Sequence, residues 1–81
     1  MKLLKIYSQS CGPCKVLENN LQLSGLTYQS VDVQSDEGSE ITEKYGVRTV
    51  PTLLLLNDNN EVIKKHVGVM SVNELRDFYN E

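Results

Sequence analysis

Polar and apolar positions along the chain fall into alternating strand-like and helix-like segments. Lys2–Tyr7 (KLLKIY) is a short apolar-rich run ending at the polar Ser8-Gln9-Ser10, which predicts a strand followed by a loop. A helix is predicted to begin after Cys11. Pro13 suits its first turn, where a missing N–H does no harm, and Val16, Leu17 and Leu21 then fall on one face. Gly25 is the expected stop. Tyr28–Val33 alternates, with Val31 and Val33 on one side, and predicts a second strand. Ser35 or Asp36 can cap a second helix, in which Ile41 and Tyr45 stand four residues apart and Gly46 closes the segment.

Thr52–Leu56 is a compact apolar run of the kind that marks a strand buried on both faces. Asn57-Asp58-Asn59-Asn60 predicts a turn, and Glu61–Val67 returns as an alternating strand, so the two runs form a hairpin. Ser71-Val72-Asn73-Glu74 is a capping-box pattern. It opens a last helix with Val72, Leu75, Phe78 and Tyr79 on its inner stripe. The order is strand, helix, strand, helix, strand, strand, helix. A helix between the first two strands implies a parallel pair with a right-handed crossover, and the hairpin adds an antiparallel pair. The expected fold is one α/β domain over residues 1–81, a four-stranded mixed sheet with helices on both faces.

Composition agrees and narrows the partners. With 81 residues, 40% hydrophobic and 23% charged, the chain is an ordinary globular domain with no room for a second one. The net charge is −3 and the eight basic residues are scattered apart from Lys64-Lys65, which argues against a sequence-independent grip on nucleic acid. The start, Met-Lys-Leu-Leu-Lys-Ile-Tyr, has neither the apolar core nor the cleavage site of a signal peptide. The longest apolar run, Val50–Leu56, is broken by Pro51 and Thr52 and is too short to cross a bilayer. A cytoplasmic location and no membrane partner are the expectation.

The only two cysteines, Cys11 and Cys14, stand in one Cys-Gly-Pro-Cys tetrapeptide. That spacing is catalytic or metal-binding rather than a distant staple. Thiol-disulfide exchange needs a thiolate to attack and a second thiol close enough to release the product. At the start of a helix, free N–H groups and the positive dipole end favour the thiolate of Cys11, whose pKa should fall below the ordinary value of about 8.5. Cys14 follows one turn inward, covered by the helix, and Gly12 and Pro13 fix the turn between the two. A zinc site is the competing use. It would need two further ligands, and the only histidine, His66, lies on the late strand, so carboxylates would have to complete it. A dimer-bridging iron–sulfur cluster is another. His66 itself is expected on the surface of an outer strand, and Tyr45 and Phe78 in the core.

Three segments carry a resemblance. Ser10-Cys11-Gly12-Pro13-Cys14-Lys15 resembles the thioredoxin active site. Lys44-Tyr45-Gly46-Val47-Arg48-Thr49-Val50-Pro51-Thr52 resembles the segment that leads into that family's cis-proline, and Val67-Gly68-Val69-Met70-Ser71 its glycine turn before the last helix. They occur in the family's order, so the resemblance spans nearly the whole chain. It implies the thioredoxin fold core (βαβαββα) without the family's extra N-terminal strand and helix, as in glutaredoxins and the short archaeal and phage thioredoxins. It implies Cys11 as nucleophile, Cys14 as resolving thiol, a redox-active Cys11–Cys14 disulfide and no bound cofactor. Gly12, Pro13, Lys5 and Lys15 would support the pair. Pro51 would be the cis-proline, setting the Val50 backbone beside Cys11 to pair with an extended substrate segment, and Gly68 and Val69 would complete the docking surface. Two departures stand out. Ser10 replaces the usual tryptophan, in a chain with no tryptophan at all, and Lys5 replaces the buried acid six residues before the nucleophile.

The expected function is reduction of protein disulfides by dithiol exchange in a monomer. Electrons come from a thioredoxin reductase-type donor or from glutathione, since the chain has no dinucleotide fingerprint of its own. A glutathione-dependent glutaredoxin is the alternative, and a non-catalytic binding subunit of a partner protein the second. Strand alternation sets Leu3, Lys5 and Tyr7 on one face and Leu4 and Ile6 on the other. Ser30 and Asp32 share a face of the second strand, and the resemblance implies that Lys5 occupies it, beneath the active-site helix and paired with Asp32; the alternative is that Lys5 snorkels to the sheet edge and touches neither cysteine.

Overall fold

The alternation of the first strand sends Leu3 and Leu4 to opposite faces of the sheet. In the computed structural model, which describes residues 1–80, β1 (Lys2–Tyr7) is followed by α1 (Gly12–Ser24), β2 (Gln29–Asp32), α2 (Asp36–Tyr45), β3 (Thr52–Leu56), β4 (Val62–Val67) and α3 (Val72–Asn80). The four strands form one mixed sheet in the order β2-β1-β3-β4. β1 and β2 run parallel, joined through α1, with Lys5 opposite Ser30 and Tyr7 opposite Asp32. β3 is antiparallel to both β1 and β4, and a bulge at Leu55/Leu56 interrupts the hairpin register.

One sheet face carries Leu3, Leu53 and Leu55 against Leu17 and Leu21 of α1 and Leu75 of α3. The other carries Leu4, Ile6, Val31, Leu54 and Leu56 against Ile41 and Tyr45 of α2. Both faces of β3 are therefore covered, and all five of its residues are buried. Each buried leucine contributes about 1.5–3 kcal/mol relative to an exposed one. The sheet, the helices on both of its faces and the hairpin are as expected from the pattern.

Local chemistry sets the helix ends. Ser35 caps α2, its hydroxyl accepting from the Gly38 N–H at 2.9 Å. Both halves of the box at Ser71 form: the Glu74 N–H donates to the Ser71 hydroxyl at 3.1 Å, and the Ser71 N–H donates to the Glu74 carboxylate at 3.0 Å. Gly38 lies where α2 meets β2. A Cβ there would overlap the Asp32 carbonyl, so only glycine permits this approach.

Two expectations change. β2 is shorter than Tyr28–Val33, although the Val33 N–H still reaches the Tyr7 carbonyl at 2.9 Å. Val16 is not on the inner face of α1: it is 50% exposed, and the buried stripe is Cys14, Leu17, Leu21 and Ser24. Steps of three and four residues hold that stripe on the 3.6-residue period, and Val16 falls outside it. Ser24 is buried without penalty, because its hydroxyl donates to the Leu21 carbonyl at 2.6 Å and accepts from the Leu26 N–H at 3.2 Å.

Candidate active site

The dithiol segment forms where the loop after β1 turns into α1. The Cys11 N–H donates to the Ser8 carbonyl at 3.3 Å, closing the turn. Cys11 is the N-cap residue of α1, with extended backbone (φ −90°, ψ 109°), and its sulfur accepts from the Cys14 N–H at 3.1 Å. Pro13 stands in the first turn, as its fixed φ and missing N–H favour. No acidic side chain occupies that turn to cancel the positive end of the helix.

Cys11 and Cys14 form a disulfide, with Cα atoms 5.2 Å apart. Their surroundings differ. Cys11 is half-buried beside the exposed Gly12 and Pro13, whereas Cys14 is 2% exposed on the inner stripe of α1. Lys15 is exposed next to it.

The second part of the predicted site comes from two loops far apart in sequence. The Val50–Pro51 peptide bond is cis, and Pro51 is buried at the entry to β3. The Thr52 hydroxyl donates to the Thr49 carbonyl at 2.7 Å, tying that turn. Gly68, just past β4, donates its N–H to the Pro51 carbonyl at 2.9 Å. Gly68 has φ 102°, a conformation that L-residues adopt only with strain. The structure thus joins Gly68 to Pro51 and leaves Val69 41% exposed and Val50 half-buried on the neighbouring surface.

Lys5 lies beneath α1, as the resemblance implied, and is only 4% exposed. Its partner is not Asp32. Lys5 Nζ forms an ion pair with the carboxylate of Glu18 on α1. Asp32 sits opposite Tyr7, one step beyond Lys5's partner Ser30, and its carboxylate is held by the Gln34 N–H at 2.9 Å and Gln9 Nε2 at 3.2 Å. The ammonium also lies 4.7 Å from the centroid of the Tyr7 ring and 6.0 Å from that of Tyr28, within reach of cation–π contact.

Glu18 and Tyr28 are the residues that sequence reading missed. Glu18 accepts from Tyr28 Oη at 2.8 Å and from Gln22 Nε2 at 3.3 Å. Burial works against its ionisation, but the Lys5 and Tyr28 hydrogen bonds and the Lys5 charge together hold its carboxyl below the usual range. Burial pushes the Tyr28 hydroxyl up, and its bond to the Glu18 carboxylate adds to this. The available signal was the spacing: Glu18 follows Cys14 by four residues, hence on the same side of the helix, and a buried lysine facing that helix needs an acid. Lys5, Tyr7, Ser8, Gln9, Cys14, Lys15, Glu18 and Ser30 line an open cleft of about 370 Å³.

Among the described residues, no group of three or more His, Cys, Asp or Glu side chains is placed to hold a metal ion. No described helix is long and apolar enough to cross a membrane. His66 sits on the outer strand β4 with its ring 6.5 Å from that of Phe78.

The thioredoxin family model matches residues 1–81. The SPbeta prophage-derived thioredoxin-like protein YosR of Bacillus subtilis is 33% identical over 81 residues, covering all of this chain and 98% of its own. A thioredoxin of the same organism is 37% identical over 83 residues, covering 98% of this chain and 79% of its own. Among solved structures, a mutant thioredoxin from Halobacterium salinarum superposes with a TM-score of 0.80 at 36% identity, over 98% of this chain and 74% of that one. With its paired cysteines at the head of α1 on this sheet, the chain belongs to the thioredoxin family and is a thiol-disulfide oxidoreductase.

Proposed function

We propose that the protein reduces disulfide bonds in protein substrates, with Cys11 as the attacking thiol and Cys14 as the resolving one. The observation that carries this assignment is their unequal exposure: Cys11 is half-buried at the head of α1, and Cys14 is 2% exposed behind it. The Cys11 thiolate attacks one sulfur of the substrate disulfide. A mixed disulfide forms as the substrate S–S bond breaks, and the released substrate thiolate takes up a proton. Cys14 then loses its proton and attacks Cys11 Sγ. The mixed disulfide breaks, the second substrate sulfur leaves as a thiolate, and the Cys11–Cys14 disulfide remains. Two electrons have passed from the dithiol to the substrate.

In this reading substrate docks as an extended segment along the Val50 backbone, across the small surface at Gly68 and Val69. Exposed Gly12, Pro13 and Lys15 border the attacking sulfur. The disulfide is returned to the dithiol by an external reductase of the thioredoxin reductase type, in the cytoplasm, where thiol pools are kept reduced. No resident cofactor takes part, and one chain suffices.

Cys14→Ser tests the roles. It should still attack, so covalent mixed disulfides with substrate accumulate, whereas Cys11→Ser should give neither turnover nor trapping. Wild-type turnover by Cys14→Ser without added thiol overturns the dithiol route and favours a monothiol, glutathione-dependent one. Recycling by a thioredoxin reductase against recycling by glutathione and its reductase decides the electron donor.

A further inference from the structure

β4 forms one edge of the sheet, and its two faces differ. On the face packed by α3, Lys64 lies over the Phe78 ring at 5.7 Å and His66 meets the same ring edge-on. On the other face Val62, Lys65 and Val67 stand opposite Leu56, Leu54 and Thr52, and cross-strand partners share a face. α2 leaves this row uncovered: Val62 is 41% exposed, Val67 is 53% exposed, and Lys65 is exposed between them.

The backbone of the same residues is free. The Gly68 N–H donates to the Pro51 carbonyl, and antiparallel pairs alternate between hydrogen-bonded and non-hydrogen-bonded. On this register His66 and Lys64 are the hydrogen-bonded partners of Leu53 and Leu55. Val67 and Lys65 therefore turn their N–H and C=O groups away from β3, toward solvent. An edge of this kind is a template for another extended segment.

We infer that the outer edge of β4 is a docking site for an extended acidic segment of the protein substrate, which adds there as a fifth strand. The inference rests on the substrate-docking reading for the partner's identity: β4 runs directly into Gly68 and Val69, so a protein held at that surface also reaches this edge. Charge sets the sign. Lys65 Nζ donates to the Gly46 carbonyl at 3.2 Å, at the corner of the molecule that Lys44 and Arg48 flank in the chain. All three cations are exposed, and among the described residues none is in a salt bridge. Glu61, the acid ahead of the strand, is engaged by Asn57 Nδ2 at 3.0 Å. An acidic side chain opposite Lys65 and an apolar one opposite Val67 match the row. A second copy of the chain does not, because pairing β4 with β4 sets one Lys64-Lys65 pair against the other. The opposite edge, β2, offers no such row: Gln29 and Ser30 are exposed there and Val31 is buried.

The test reads amide hydrogen exchange by NMR in the oxidised wild-type protein. The probes are two palindromic heptapeptides, Thr-Val-Thr-Glu-Thr-Val-Thr and its counterpart with a central lysine. The glutamate peptide should slow exchange at the Lys65 and Val67 amides by about tenfold when it exceeds its Kd tenfold, and leave the β2 amides unchanged. The lysine peptide should not slow it, and the surface change Lys65→Glu should reverse the preference. No slowing by the glutamate peptide at about 5 mM, where any millimolar affinity would show, overturns the proposal. So does equal slowing by both peptides, equal slowing at Gln29–Asp32, or an unchanged preference in Lys65→Glu. Slowing that grows with protein concentration in the absence of peptide assigns the edge to a second copy and overturns it too. With a disulfide substrate that carries the glutamate peptide as a tail, Lys65→Glu should raise KM at constant kcat, and an unchanged KM counts against the site. The exchange experiment keeps the disulfide closed, so its failure is separable from that of the dithiol reading, which Cys14→Ser trapping decides.

Discussion

Lys5 on β1 and Glu18 on α1 are joined in an ion pair one helical turn behind Cys14. The pair ties the active-site helix to the central sheet, beside the apolar core that Leu17 and Leu21 share with Leu3 and Leu53. Removing one partner of a fully buried pair costs about 3–5 kcal/mol, because the other charge is stranded. Glu18 is partly open to solvent, which screens the loss, so Glu18→Gln should lower unfolding free energy at neutral pH by about 1–2 kcal/mol. Urea denaturation measures it, and unchanged stability would show that solvent already satisfies both groups.

The same pair gives stability a pH dependence with a definite sign. The Glu18 carboxyl is held below its ordinary value of 4.5 in the folded protein. The unfolded chain therefore takes up its proton first as the medium is acidified. The contribution of Glu18 is fully present above about 4.5 and is lost as pH falls through the lowered folded value. Urea midpoints measured from pH 6 down to pH 3 should fall less steeply in Glu18→Gln than in the wild type. Parallel profiles would remove Glu18 from the acid response. At the alkaline end Tyr28 acts in the other direction: its pKa is raised above 10, so its contribution fades as pH climbs past that value.

Unequal access to the two sulfurs predicts unequal labelling. In the reduced protein near neutral pH, an alkylating agent should modify Cys11 much faster than Cys14, which is buried on the inner stripe of α1. Peptide mapping after brief exposure reads the ratio. Equal labelling, or preference for Cys14, would reverse the assigned roles.

Gly38 supplies a stability test remote from the cysteines. A methyl group there meets the Asp32 carbonyl and the Val33 Cα, both backbone atoms that cannot rotate away. Gly38→Ala should therefore push α2 off β2 and cost about 1–3 kcal/mol, despite alanine's better helix propensity. Net stabilisation in a denaturant titration would mean that α2 shifts without strain.

Much of this arrangement was legible in the chain itself. Period-two and period-3.6 patterns, with Gly25, Gly46, Ser35 and the Ser71–Glu74 box, marked where elements begin and end, because those signals act between residues a few positions apart. The Cys-Gly-Pro-Cys turn was equally local, and Thr52–Leu56 announced a doubly covered strand by having no polar face. What tertiary structure decided was which distant groups meet. Alternation put Lys5 on one face with Leu3 and Tyr7, but its partner depended on sheet register, which set Ser30 rather than Asp32 opposite it, and on the seating of α1, which brought Glu18 down to it. The same seating turned Val16 outward, and chain return through the hairpin carried the Gly68 N–H to the Pro51 carbonyl. The Lys5–Glu18 and Pro51–Gly68 contacts join residues 13 and 17 positions apart, and no short-range pattern encodes them, because they depend on how rigid elements pack rather than on how each one forms.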